Sequence, residues 1–218
     1  MPQPLFVVFE GGEAAGKSTQ TRLIAAYLVR QGYKVTRVTE PGSTQLGIRV
    51  RRLVKYGPKV ITPLAEAMLF LAARAQLVKE VISPALERGD AVVSDRFADS
   101  TLAYQGYGRG LDVEDLRRLN TIATGDLVPD LAVLLDIPVE ASIKRRPPRS
   151  NDRFEAELPD QEGDSSNQTF HEKVRQGFLS LAGQTPDKWL VVDATLSPRE
   201  VSRIVRARIS DLLKQKGA

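Results

Sequence analysis

The stretch Leu5-Phe6-Val7-Val8-Phe9-Glu10-Gly11-Gly12-Glu13-Ala14-Ala15-Gly16-Lys17-Ser18-Thr19 decides the fold. A short apolar run breaks at two glycines and leads into a helical pattern. Gly11 and Gly16 stand five apart and are followed by Lys17 and Ser18, the spacing of a phosphate-binding P-loop. The residue types follow from the chemistry. Glycines let successive backbone N–H groups converge on phosphate oxygens. The start of the next helix adds partial positive charge. Lys17 is expected to reach the outer phosphates, and the Ser18 hydroxyl to ligate Mg²⁺.

Working outward, apolar runs recur along the chain. Residues 34–39 hold Val35 and Val38. Ala91-Val92-Val93 precedes Ser94-Asp95-Arg96, Leu131 to Leu135 precedes Asp136, and Trp189 to Val192 precedes Asp193. Each reads as a buried parallel strand, apolar through its length. Helical spacing fills the intervals. Residues 19–31 place Leu23, Tyr27 and Leu28 on one face, and residues 63–88 place Leu69, Ala73 and Leu77 at four-residue steps. Residues 197–216 open with Ser197-Pro198 as N-cap and first turn. The alternation predicts an α/β fold of the P-loop NTPase type. It is a three-layer arrangement with a central parallel sheet of about five strands flanked by helices. The chain is read as one domain over residues 1–218.

The 218 residues carry 42% hydrophobic and 27% charged side chains, an ordinary globular balance that argues against global disorder. No cysteine is present, which excludes disulfides and thiolate metal sites and permits a reducing compartment. The run Leu5–Phe9 is too short for a signal-peptide core, and residues 68–73 are far too few for a membrane span. A soluble, cytoplasmic protein with no membrane partner is expected. Net charge is +4, a mild excess that suits anionic partners such as nucleotides, phosphate esters or nucleic acid.

Residues 144–168 depart from the pattern. Arg145, Arg146, Arg149 and Arg153 are followed by Glu155, Glu157, Asp160, Glu162 and Asp164, with two adjacent prolines and a Gly-Asp-Ser-Ser ending. This is loop chemistry, and a long loop in a compact domain is usually functional or disordered. It reads as a lid whose basic half is functional and whose acidic half is a mobile extension.

A P-loop names the triphosphate, not the reaction. The chain lacks the Asn-Lys-x-Asp guanine reader of GTPases and the Leu-Ser-Gly-Gly-Gln signature of transporter ATPases. A small phosphotransferase with a second pocket for a phosphate acceptor remains. Asp95 and Arg96 close a predicted strand, where open parallel sheets bind ligands. Asp95 there can help hold Mg²⁺, and Arg96 can fork onto an acceptor phosphate. Phe70 and Arg74 share a helix face, and so do Thr101, Tyr104 and Gln105. A ring and a guanidinium together suit a nucleobase, but spacing alone favours a core Phe beside a snorkelling Arg, and for the second set gives only a polar helix face.

Read together, the strings resemble the thymidylate kinase family over nearly the whole chain. They are residues 9–19, Thr39-Glu40-Pro41-Gly42-Ser43-Thr44, residues 70–76, Asp95-Arg96-Phe97, residues 100–106, Gly108-Arg109-Gly110, residues 152–155 and Val192-Asp193-Ala194. The resemblance implies transfer of the γ-phosphoryl group of ATP to dTMP, with Mg²⁺, in dTTP biosynthesis. By the same resemblance, Phe70 stacks on thymine, Arg74 donates to a base carbonyl, and Thr101 and Gln105 contact the base edge. Tyr104 crowds the sugar where a ribonucleotide carries its 2′-hydroxyl. Arg96 and Arg51 bind the acceptor phosphate, and Glu40 belongs to the substrate side. Glu13 lies near the acceptor sugar and metal. Gly11, Gly12, Glu13, Ala14, Ala15, Gly16, Lys17, Ser18, Thr19 and Arg145 bind ATP, with Asp193, Ala194 and Thr195 beside its adenine.

Some family members place an Arg inside the P-loop, where this chain has Ala14. The charge then comes from the lid, as in the bacterial type. Lys17, Asp95, Arg96, Arg149 and Arg153 form the expected catalytic set. Residues 156–168 look longer and more acidic than usual for the family. A homodimer is implied; the apolar content of the helix at 63–88 fits an interface element or core equally. The reaction does not need His171, which reads as part of a surface helix. Arg203, Arg206, Arg208, Lys214 and Lys216 raise a rival reading, a nucleic-acid-binding stripe. Glu200 and Asp211 on the same helix favour a solvated face, and no nucleic-acid partner is expected.

Overall fold

A computed structural model describes residues 3–58, 60–145 and 165–216. The five expected strands are β1 (Leu5–Glu10), β2 (Val35–Thr39), β3 (Ala91–Asp95), β4 (Leu131–Asp136) and β5 (Trp189–Asp193). All pair in parallel, in the order β2-β3-β1-β4-β5. Glu10, Asp95, Asp136 and Asp193 all stay in the strands that they close. The apolar runs therefore deliver a row of carboxylates to the carboxyl edge of the sheet, the edge where such folds bind ligands.

The helices are α1 (Lys17–Arg30), α2 (Gln45–Tyr56), α3 (Pro63–Leu77), α4 (Ser83–Glu87), α5 (Ala98–Thr101), α6 (Val113–Thr124), α7 (Val139–Lys144), α8 (Ser165–Gln184) and α9 (Pro198–Lys216). The helix expected over 63–88 is continuous, but a π-helical turn at Val78–Ile82 widens it between α3 and α4. A second π-helical stretch, Leu102–Gly108, continues α5. Such turns are rare and gather at functional sites. Residues 165–168, expected to belong to the lid, instead open α8, which begins at Ser165. Ser197 starts α9 as expected: its Oγ accepts from Glu200 N at 3.3 Å while Glu200 Oε2 accepts from Ser197 N at 3.0 Å, a reciprocal capping box.

Strand periodicity sorts the core. Leu5, Val7 and Phe9 pack with Ile24 and Leu28 of α1 and with Val201, Val205 and Ile209 of α9. Phe6 and Val8 point the other way, onto Leu77, Ile82 and Phe97. On β4, Ala132 and Leu134 meet Val174, Phe178 and Leu181 of α8. Each such buried side chain contributes about 1.5–3 kcal/mol, so the sheet is a stiff platform under its ligand edge. Where the P-loop leaves β1 it crosses β4 closely. A Cβ on Gly11 would lie 2.5 Å from the Leu135 carbonyl oxygen, and the Gly11 φ is +130°. Only glycine fits there.

Candidate active site

One cleft of about 760 Å³ runs along the carboxyl edge of the sheet. The P-loop, from Glu13 to Gln20, forms its floor. Arg145, Ala194, Pro198 and Val201 line one end. Glu40, Arg51, Phe70, Arg74, Thr101, Tyr104 and Gln105 line the other, with Asp95 and Arg96 in between. Residues scattered over the whole chain thus converge on one volume.

The loop at the centre is tightly wound. Gly16 (φ 95°) and Ala14 (φ 50°) both take left-handed backbone. Lys17 Nζ donates to the Gly12 carbonyl at 2.6 Å and to the Gly11 carbonyl at 3.1 Å. Burial, and then Arg96, lower its pKa to about 8, against the pull of Asp95, Glu13 and Glu10. An incoming phosphate would relieve that burden by supplying negative charge. Ser18 Oγ donates to Asp95 Oδ2 at 2.7 Å, so hydroxyl and carboxylate meet where α1 faces the end of β3.

Arg96 is the hub between the two ends. Its backbone is left-handed (φ 73°), a strained choice for a side chain of this size. Nη1 donates to the Gly11 carbonyl and to Ser100 Oγ, both at 3.1 Å. Nη2 donates to the Tyr104 phenol oxygen at 3.0 Å and to Glu13 Oε2 at 3.4 Å. The guanidinium carbon sits 4.8 Å from the Tyr104 ring centroid. Burial raises the Tyr104 pKa, countered in part by Arg96.

At the far end Arg74 is 2% exposed. Its Nε donates to Glu40 Oε2 at 2.8 Å, its Nη1 to Thr101 Oγ1 at 2.9 Å and Asn120 Oδ1 at 2.5 Å, and its Nη2 to the Phe97 carbonyl at 2.9 Å. Nη2 also lies 2.8 Å from Glu40 Oε2. Burial raises the Glu40 pKa, and Arg74 opposes that rise. Arg74 therefore organises the wall at this end of the cleft. Phe70 packs with Val50, Val54 and Ala73 and contributes to the same wall.

Against this geometry the comparisons are specific. The family model described as Thymidylate kinase matches residues 9–205. A thymidylate kinase of Desulfovibrio desulfuricans is 47% identical over 218 residues, covering 98% of this chain and 98% of that protein. One of Dehalococcoides mccartyi is 43% identical over 211 residues, covering 96% and 98%.

The chain belongs to the thymidylate kinase family.

The crystal structure of the thymidylate kinase from Ehrlichia chaffeensis agrees in fold, with TM-score 0.70 at 31% identity over 88% of this chain and 93% of that one. Set beside the family expectations, the cleft gathers Glu13, Ala14, Ala15, Gly16, Lys17, Ser18, Thr19, Glu40, Arg51, Phe70, Arg74, Asp95, Arg96, Thr101, Tyr104, Gln105, Arg145 and Ala194. Gly11 and Gly12 accept from Lys17 through their carbonyls. Arg145 donates to the Ala194 and Thr195 carbonyls at 2.7 and 3.3 Å, tying α7 to the loop after β5. Asp193 does not line the cleft but braces that loop, accepting from Thr195 N at 2.8 Å and from Thr195 Oγ1 at 2.7 Å. These two bonds hold its carboxyl below the usual carboxylate range. Arg51 donates to the Pro41 carbonyl at 3.3 Å. Arg146, Arg149, Arg153 and the acidic stretch 156–164 lie outside the described residues.

Several participants escaped sequence reasoning. Glu10 is fully buried behind the P-loop, accepting from Phe97 N at 2.8 Å and from Ser100 Oγ at 2.5 Å. Burial, then Asp99, raise its pKa to about 8. Asn120 of α6 completes the Arg74 shell. Glu66 reaches Gln105 from α3, and its spacing carries a signal: Glu66, Phe70 and Arg74 recur every four residues, hence on one helix face. His171 corrects an expectation. It is 8% exposed and lines the cleft rather than sitting on a surface helix, because α8 packs its second turn against the site. The basic stripe on α9 is largely occupied by contacts within the chain. Arg206 lies over the Tyr27 ring at 5.6 Å, Arg208 donates to the Asp187 carbonyl, and Lys214 pairs with Asp211.

Proposed function

We propose that the protein transfers the γ-phosphoryl group of ATP to dTMP, giving ADP and dTDP. The observation that carries this is one cleft that joins a P-loop floor to a base-end pocket of Phe70, Arg74, Thr101, Tyr104 and Gln105, with Arg96 between them. ATP enters from the side of Arg145 and Ala194, and dTMP from the other.

The reaction needs no strong base, because the acceptor phosphate is already an anionic nucleophile. Positioning and charge neutralisation remain to be supplied. Lys17 faces the transferred group, and Arg96 and Arg51 hold the acceptor phosphate. Tyr104, fixed by its bond to Arg96, occupies the space beside the sugar, with Glu13 near the same sugar. Glu40 acts through Arg74. The Ser18 hydroxyl and Asp95 carboxylate are hard oxygen donors within 2.7 Å of each other, a set that fits Mg²⁺. When bound, the cation would neutralise charge on the phosphate oxygens. Arg149 and Arg153 of the lid, by family resemblance, supply the charge that Ala14 lacks.

The same proposal has one domain over residues 1–218, a cytoplasmic location and a homodimer. Exposed Leu64 and Met68 on α3, with Leu53 and Tyr56 on α2, offer an apolar surface for the second copy. Among the described residues no helix is long and apolar enough to cross a membrane.

A coupled ADP-release assay with ATP, Mg²⁺ and the acceptors dTMP, dUMP, UMP, dCMP, AMP and GMP tests the reading. Turnover is expected to be fastest with dTMP, slower with dUMP and negligible with the rest. Turnover led by another acceptor overturns the thymine assignment. No turnover with any acceptor overturns the phosphotransferase.

A further inference from the structure

Gln105 lines the base end of the cleft and is 2% exposed. Its Nε2 donates to Glu66 Oε1 at 2.8 Å. Glu66 is itself buried on α3 and ion-paired with Arg109, whose Nε lies 3.5 Å from the same oxygen. A glutamine amide alone can rotate by half a turn and exchange donor for acceptor, so a base read by a glutamine is read ambiguously. A carboxylate ends that ambiguity. It only accepts, so the NH₂ group must face Glu66 and the carbonyl oxygen must face away.

We infer that Glu66 is a positioning residue for base selection: it pins the Gln105 amide so that only its carbonyl oxygen is offered to the base. The inference rests on the reading of dTMP as acceptor and deepens it. On the edge carrying its two carbonyls, thymine has one donor, the imide N3–H. A pinned acceptor there pairs with N3–H and meets the bare N3 lone pair of a cytosine with repulsion. Buried polar groups left unpaired or opposed make such discrimination strong. The pinning comes from two helical elements. Glu66 belongs to the first turn of α3, and Gln105 and Arg109 flank the end of the π-helical stretch 102–108. The widened turn brings Gln105 and Arg109 to one carboxylate four residues apart in sequence.

The test is Glu66→Gln, which keeps the volume but offers either a carbonyl or an amide to Gln105. Rates are measured with dTMP and with 5-methyl-dCMP, which differs from dTMP only at N3 and the exocyclic group at position 4. The expected result is a selectivity ratio about tenfold narrower, the worth of one well-placed hydrogen bond. The loss with dTMP falls on KM rather than kcat. A merely structural Glu66 would lower both acceptors together and leave the ratio unchanged, and that result overturns the inference.

A measurement on the unaltered protein covers failure of the variant to fold. The Gln105 side-chain amide, followed by ¹⁵N-resolved NMR after selective labelling, is expected to keep its protons long after transfer to D₂O. Exchange at the rate of an exposed glutamine overturns the pinning. Failure of the unaltered protein to phosphorylate dTMP is the separate outcome that removes the functional reading, and the inference with it.

Discussion

Ser18 Oγ donates a 2.7 Å hydrogen bond to Asp95 Oδ2, joining residues 77 apart in sequence within the cleft. One ends the phosphate-binding loop and the other ends the neighbouring strand, and only the parallel pairing of β1 with β3 brings them together. Asp95→Asn keeps the shape and halves the acceptor capacity of this pair. Turnover is expected to fall by about 10–100-fold, the usual loss when a group that holds or orients a cation is changed. A Mg²⁺ titration of turnover checks it. The mutant should need more Mg²⁺ for half-maximal rate, and an unchanged Mg²⁺ requirement would detach Asp95 from the cation.

Tyr104 carries two separable tasks. Its hydroxyl accepts from Arg96, and its ring fills the space beside Phe170 and Phe178, with centroids 6.3 and 6.1 Å away. Tyr104→Phe is expected to lower kcat several-fold by loosening Arg96 while keeping the preference for deoxyribose. Tyr104→Ala is expected to narrow that preference about tenfold, since a hydroxyl gains the room that the ring occupied. Competing dTMP against its ribo counterpart decides the matter, and equal ratios in the two variants would remove the ring from sugar selection.

Ala14 leaves the P-loop without the arginine some family members place there. Arg149→Ala and Arg153→Ala are therefore expected to reduce kcat, one of them by up to about 10³-fold, with smaller changes in the KM for dTMP. Steady-state kinetics of the two single variants and the double variant test this. Full activity in the double variant would take the lid arginines out of the chemistry.

Glu10 makes stability depend on pH. Its folded pKa, about 8, lies above the ordinary 4.5, chiefly through burial and then through Asp99. The folded chain thus holds a proton that the unfolded chain releases between pH 4.5 and 8. The stabilisation is complete below 4.5 and is lost as pH rises through 8. Asp99, raised to about 6 by burial, acts in the same direction at lower pH. Urea unfolding from pH 5 to 8 should show stability falling by up to about 1.4 kcal/mol per pH unit from this group. The slope should flatten in Glu10→Gln. Equal slopes in the two proteins would show that Glu10 is ionised in the folded state throughout.

Much of the molecule was legible in the chain itself. The spacing of Gly11, Gly16, Lys17 and Ser18 specified a phosphate loop, because backbone geometry and charge leave few other residue types at those positions. The five apolar runs specified a buried parallel sheet, because strands covered on both faces need no alternation. Local physics covers both cases. The expectation of a lid rests on composition alone, four arginines in a charged, proline-bearing stretch, and of those four only Arg145 falls within the described residues.

Partnership was decided by the tertiary structure. Nothing in the neighbourhood of Glu10 announces that it will accept from Phe97 and Ser100. Nothing near Arg74 announces Asn120, 46 residues away. Nothing near Gln105 announces Glu66. Such pairings depend on which helices cover which face of the sheet, and that choice is made by the summed burial of many side chains. His171 shows the limit most plainly. Its position near the start of a helix read as surface, and only the docking of α8 beside the cleft turned it inward. Residue types are dictated locally by phosphate chemistry and strand burial, whereas the orientation of each polar group in the cleft is dictated by a neighbour distant in sequence.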